Sequence, residues 1–217
     1  MSDEEVIIFE SDDEGDYIDT PVETTQYIAQ PTKQNVDNTN YSQFSCKTAA
    51  ERRLLMDFKN IQKSNPKDLG FRAFPYNNSL MNWEVRLFGF DPKDPVFNDM
   101  KQYSKSSGKD YIEMRVSFPP DYPNAPPFVR VVQPRFQFHT GRVTIGGSLC
   151  TDVLTMAGWK AVYDIESLLT NIISEILASK PRIDLANTRP YSLEEAKSAY
   201  QRVAADHGWK VSGWLPQ

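Results

Sequence analysis

Ile112-Glu-Met-Arg-Val-Ser-Phe118 runs through Pro119-Pro-Asp-Tyr-Pro-Asn-Ala-Pro-Pro127 into Phe128-Val-Arg-Val-Val132. Ile112, Met114, Val116 and Phe118 alternate with Glu113, Arg115 and Ser117, the period of a strand with one dry and one wet face. Residues 128–132 read as a further strand, rich in β-branched side chains. The five prolines between them each fix φ and remove a backbone donor, so the crossing is stiff and poor in hydrogen bonds.

Outward from this stretch the pattern stays legible. Upstream, Trp83, Val85 and Leu87 alternate with Glu84 and Arg86, again a strand, followed by a turn at residues 89–92. Residues 91–109 read as a long polar loop. Before the first strand, Thr48-Ala-Ala-Glu51 has the spacing of a capping box, and Leu54, Leu55, Phe58 and Ile61 form an apolar helical stripe that ends before Pro66. Downstream, Ile165, Leu168, Leu169, Ile172 and Ile176 recur at helical spacing up to Lys180-Pro181. A last helix begins at Ser192-x-x-Glu195 and stops near Gly208. Strands joined by short or polar loops form an antiparallel meander, and a helical stripe needs the sheet's dry face, so the fold class is α+β.

The chain has 217 residues, 40% of them hydrophobic, enough for one sizeable core. Ten acids and no Lys or Arg precede Lys33, and residues 1–45 show neither helical nor strand periodicity. The expected organisation is a disordered acidic tail over 1–45 and one domain over 46–217. Two cysteines, Cys46 and Cys150, lie 104 residues apart and suggest neither a disulfide framework nor a zinc site. With His139 and His207 the sole histidines and no phosphate-binding glycine loop, neither metal nor cofactor is expected. No apolar run approaches the ~18 residues of a membrane span, and there is no secretion signal. The expectation is a soluble protein of cytoplasm or nucleus with no nucleic-acid or membrane partner.

Phe118-Pro-x-x-Tyr-Pro-x-x-Pro-Pro127, then Gly146-Gly-Ser-Leu-Cys150, Asp152 and Gly158-Trp159 occur in an order that resembles the ubiquitin-conjugating enzymes. With residues 128–134 and Tyr191-Ser-Leu-Glu-Glu-Ala, the resemblance is to the Q-type branch and covers roughly residues 48–210. It implies an N-terminal helix, a four-stranded antiparallel meander and C-terminal helices. It also implies that Cys150 accepts ubiquitin, or a ubiquitin-like protein, as a thioester from an activating enzyme and passes it to a lysine, served by an unidentified ligase. An unactivated thiol, near pKa ~8.5, suits such a carrier. A catalytically inactive module that only binds ubiquitin or SUMO is the alternative, and a hydrolase with His139 as base lacks an orienting partner for it.

The resemblance gives Asp152 the part of an acid that orients or deprotonates the incoming lysine. Gly146 and Gly147 are expected to let an extended acyl tail approach the backbone. On residue chemistry alone, Cys150 reads equally as a small buried hydrophobe, and a solvated loop carboxylate is the lesser alternative for Asp152. Family members carry His-Pro-Asn before the cysteine, the Asn bracing the active-site loop; here residues 139–143 read His-Thr-Gly-Arg-Val. Arg142, backbone amides or Ser148 are the candidate donors to an oxyanion in its place. The ligase-docking positions differ too, with Asn124 in the proline loop and Lys160-Ala-Val after the tryptophan. Arg52, Arg53, Lys59 and Lys63 resemble the basic face that meets the activating enzyme. Val6-Ile-Ile-Phe9, followed by acids, resembles a SUMO-interacting motif able to add a strand to a sheet edge.

Overall fold

Helix α1 (Ala49–Ile61) starts where its capping box places it: the Thr48 hydroxyl accepts the Glu51 N–H at 3.1 Å and the Glu51 carboxylate accepts the Thr48 N–H at 2.8 Å. The computed structural model describes residues 41–211, 213, 215 and 216. Val6, Ile7, Ile8 and Phe9 lie outside the described residues. Ahead of α1, Tyr41 and Phe44 pack edge-on against Phe58, with ring centroids 5.9 and 6.3 Å away. Packed structure therefore reaches back at least to Tyr41, inside the stretch expected to be tail, because two aromatic rings find a partner on α1.

After the single turn α2 (Pro66–Leu69), four strands follow: β1 (Phe71–Tyr76), β2 (Ser79–Leu87), β3 (Ile112–Ser117) and β4 (Phe128–Gln133). They pair antiparallel in the order β1-β2-β3-β4, the expected four-stranded meander. β1 was not legible from periodicity because Pro75 interrupts it; it is an edge strand, where a missing donor is tolerated. Asn77 and Asn78, at φ 52° and 57°, turn β1 into β2, and asparagine tolerates that left-handed geometry.

Residues 91–109 are not the loop expected of them. They hold helix α3 (Pro95–Ser107), with proline in its first turn and Gly108 ending it at φ 71°. Val96, Met100 and Tyr103 supply a buried stripe at i, i+4 and i+7. Three anchors among Lys101, Ser104, Lys105, Ser106 and Ser107 hid the helical period beneath a polar composition.

The sheet's second face is also drier than its alternation implies. Glu84 and Glu113 are 8% and 6% exposed. Glu84 pairs with Arg86 at 2.7 Å and Arg115 at 3.1 Å; Arg115 also reaches Glu113 at 2.9 Å, which takes Lys109 at 2.9 Å. Phe74, Tyr111 and Tyr76 lie under the two guanidinium groups. Buried carboxylates persist there because opposite charges alternate along the row.

On the inner face, α1 packs against β2 and against α4 (Ile165–Ala178), whose stripe Ile165, Leu168, Leu169, Ile172 and Ile176 is buried as expected. Edge-on rings continue from Phe58 through Trp83, Phe118 and Tyr122, and Tyr122 tilts against Trp159. The last helix, α5 (Leu193–Asp206), has the second expected capping box and builds a smaller cluster in which Ala196 and Tyr200 meet Phe128. Among the described residues no helix is long and apolar enough to cross a membrane, and no group of three His, Cys, Asp or Glu is placed to hold a metal.

Candidate active site

Cys150 stands at the end of a small hairpin docked on β4. Val143 bridges to Leu149, and the Thr144 N–H donates to the Ser148 carbonyl at 2.9 Å. The returning arm lies along the sheet: the Val131 N–H donates to the Gly147 carbonyl at 2.8 Å and the Leu149 N–H to the Val129 carbonyl at 3.3 Å. Leu149 is buried in the core, and the Cys150 N–H closes the hairpin on the Arg142 carbonyl at 2.9 Å. Backbone pairing up to Leu149 and burial of its side chain leave the next residue, Cys150, half-exposed at a fixed place.

The segment after the cysteine is pinned as firmly. Asp152 opens a 3-10 turn to Leu154, and Gly158 closes against it so tightly that a Cβ there would run into the Asp152 carbonyl oxygen. The Trp159 indole donates to the Pro123 carbonyl at 2.7 Å, joining this loop to the proline crossing. The stiffness of that crossing thus serves as an anchor for the chain just past the thiol.

Gly146 and Gly147 do not form an open groove. A Cβ on Gly146 would collide with the Glu195 carbonyl at the start of α5, and one on Gly147, at φ +94°, would lie 2.6 Å from the Tyr191 ring. The space expected for an acyl tail is already filled by α5 and Tyr191, and both glycines are buried. Tyr191 is the anchor: its hydroxyl accepts the Phe136 N–H at 3.0 Å and Arg135 lies over its ring.

Ser148 is also committed elsewhere, with 0% exposure and its hydroxyl 2.7 Å from that of Thr144, so it does not face the thiol's surroundings. His139 is exposed at φ 61° with its ring against Phe138, and no hydrogen bond joins it to Cys150. Arg142 and Asp152 are both exposed and flank the thiol electrostatically. Burial pushes the Cys150 thiol above its ordinary pKa; Arg142 pulls it down, while Asp152 and Glu175 push it further up. Glu175, on the last turns of α4, is the site residue that sequence reasoning missed. Nothing in the spacing joins it to Cys150; tertiary contacts such as the Gly141 N–H on the Ser179 carbonyl, at 3.4 Å, bring the end of α4 beside the loop.

Of the four basic residues expected on the opening helix, Arg52 and Lys59 are exposed on α1, and Lys63, exposed as well, lies just past its end. Arg53 turns inward instead, pairing with buried Asp57 at 3.2 Å and donating to the Tyr163 carbonyl at 3.1 Å, which ties α1 to the segment before α4. Burial nevertheless pushes the Asp57 carboxyl above its usual range, Arg53 offsetting part of that cost.

Comparison with known proteins places this geometry. The family model described as ubiquitin-conjugating enzyme matches residues 53–207. The human protein named ubiquitin-conjugating enzyme E2 Q1 is 33% identical over 164 residues, covering 75% of this chain and 38% of the relative. The Caenorhabditis elegans protein named ubiquitin-conjugating enzyme E2 25 is 32% identical over 164 residues, covering 72% and 42%. The chain thus spans about two fifths of the length of each of these relatives. Among solved structures, a ubiquitin conjugating enzyme E2 from Plasmodium falciparum shares the fold, with a TM-score of 0.50 at 21% identity over 64% of this chain and 92% of that one. With its meander, its cysteine hairpin and these matches, the chain belongs to the ubiquitin-conjugating enzyme family, in the Q-type branch.

Proposed function

We propose that Cys150 carries ubiquitin, or a ubiquitin-like protein, as a thioester and delivers it to a lysine amine. The observation that supports this most directly is a half-exposed thiol at the end of a braced hairpin, flanked by Arg142 on the cationic side and by Asp152 and Glu175 on the anionic side. In charging, the Cys150 thiolate attacks the modifier's carbonyl, a new C–S bond forms, and the activating enzyme's thiolate leaves. In transfer, the lysine amine attacks that carbonyl, an amide forms, and Cys150 departs as thiolate while the amine's proton passes to a nearby base.

The electrostatics suit a carrier. A thiol held above its ordinary pKa is a poorer leaving group, so the thioester resists water yet yields to an amine placed against it. The carboxylates of Asp152 and Glu175 make no ion pair with any described residue and attract a lysine ammonium to the thioester. Asp152, the more exposed, is the base we assign to the departing proton. Arg142, likewise without an ion pair among the described residues, is the cation assigned to the developing oxyanion. The activating enzyme docks on the face shared by Arg52, Lys59 and Lys63. The Val6–Phe9 run adds a strand to SUMO, its acids meeting basic residues there; a SUMO titration that leaves the amide signals of residues 1–20 unmoved dismisses that part.

Charging is tested by incubating the chain with activating enzyme, ATP and either ubiquitin or SUMO. The expected product is an adduct that disappears on adding reductant; its absence with both modifiers rejects the carrier reading in favour of a binding module. The thiol itself is tested in the Cys46→Ala background by alkylation rate against pH. Because the thiolate is the reactive form and burial disfavours it, the rate should still be climbing above the pH at which a free thiol levels off. Arg142→Ala should move the curve to higher pH and Asp152→Asn to lower pH. Coincident curves would remove both residues from the thiol's field.

A further inference from the structure

We propose that Asp99, on helix α3 between the second and third strands, is the positioning residue that braces the active-site loop where the family's asparagine is absent. This rests on the carrier reading of Cys150.

Asp99 is 5% exposed, and its three hydrogen bonds go to the segment that follows α4 rather than to its own helix. The Arg182 guanidinium donates to both carboxylate oxygens, Nε at 2.7 Å and a terminal nitrogen at 3.1 Å, and the Ile183 N–H donates at 3.0 Å. Burial alone would push the carboxyl up; these donors outweigh it and hold Asp99 below its usual value, so it is ionised and committed.

Residues 182–184, once fixed, fix the loop ahead of the cysteine. The Gln137 N–H donates to the Arg182 carbonyl at 2.8 Å, the Asp184 N–H to the Arg135 carbonyl at 2.8 Å, and Phe136 bridges to Ile183. The Arg182 N–H donates to the Thr140 hydroxyl at 3.2 Å, which in turn donates to the Gln137 carbonyl at 2.8 Å. Two residues past Thr140 stands Arg142, whose carbonyl accepts the Cys150 N–H. Hydrogen bonds and this short span of chain thus connect Asp99 to the backbone of the cysteine. His139 and Arg142, at φ 61° and 57°, are non-glycine residues in the left-handed region on either side of Gly141, a conformation that costs energy and persists only where neighbours hold it. Asp99 is the buried, fully bonded end of that hold.

The test uses the full chain, with Asp99→Ala, Asp99→Asn and a control, Val96→Ala, which thins the buried stripe of the same helix and leaves the Asp99 carboxylate and its donors in place. Discharge of the Cys150 thioester is followed in single turnover against lysine concentration, and hydrogen exchange is measured at residues 137–150. Asp99→Ala should lower the limiting discharge rate about 10- to 100-fold, since small displacements at a reacting centre cost that much, with the half-saturating lysine concentration unchanged. It should also speed exchange at Gln137 and Cys150. Asp99→Asn keeps an acceptor for the Ile183 N–H and should recover most of the rate, and Val96→Ala should discharge like the parent below its melting temperature. Parent-like discharge by Asp99→Ala overturns the proposal, as does unchanged exchange at Cys150, as does equal loss in Val96→Ala. A parent chain that never charges rejects the carrier reading and with it the catalytic part assigned to Asp99; that outcome is distinguishable because it appears without any substitution.

Discussion

Cys150→Ala should abolish the reductant-sensitive adduct, a loss of ~1000-fold or more, because a nucleophile has no substitute when the group itself forms the bond. The fold should survive. The thiol is half-exposed, and the hydrogen bonds that fix residue 150 run through its N–H and the pairing of Leu149, both of which alanine retains. The cost in stability should be about 1 kcal/mol or less. Cys150→Ser separates chemistry from binding: any adduct it forms is an oxygen ester, slow to appear and indifferent to thiol reductant, whereas alanine leaves nothing. Gel analysis with and without reductant reads both. A reductant-sensitive adduct that persists in Cys150→Ala would move the chemistry to another residue, with Cys46 the only other thiol.

The second large effect is structural. Gly146→Ala and Gly158→Ala should each destabilise the domain by about 1–3 kcal/mol, read from the urea midpoint, because the added methyl meets backbone rather than a side chain that can swing away. Gly89 and Gly108 give the contrast. Both sit at positive φ, but nothing lies within 4 Å of the missing Cβ. Alanine there should cost only the left-handed strain, roughly 1 kcal/mol. If Gly146→Ala unfolds at the parent midpoint, the cysteine hairpin does not lie against α5 as described. Gly146→Ala should also slow charging, since the same hairpin positions Cys150.

The contrast between what spacing reveals and what it hides is physical. β2 and β3 were legible because burial on one face imposes period two, and α4 because Ile165 to Ile176 keep helical period. α3 was missed because three buried apolar side chains, Val96, Met100 and Tyr103, join it to the core, leaving serines and lysines to dominate its composition. Cys150 stood out through the order of motifs around it. What Gly146 and Gly147 do was illegible, because their reason lies in Glu195 and Tyr191, more than forty residues on, and no local pattern encodes a close approach between distant segments. Ser148 misled for the same cause: a hydroxyl beside a cysteine reads as chemistry until its partner, Thr144, is seen. Glu175 and Asp99 reach the site only through tertiary contact, Glu175 by the docking of Gly141 on Ser179 and Asp99 through Arg182.

The hairpin that ends at Cys150 has one more consequence. Carriers that pass an acyl group between distant partners commonly hang it on a long, swinging arm. Here the arm is a single side chain, one residue from a strand whose backbone is paired and whose Leu149 is sunk in the core. The thiol has almost no reach of its own, so under the carrier role proposed above the travel between donor and acceptor would fall to the cargo's terminus and to exchange of whole partners at a stationary point. In that role the protein would be a turnstile rather than a crane.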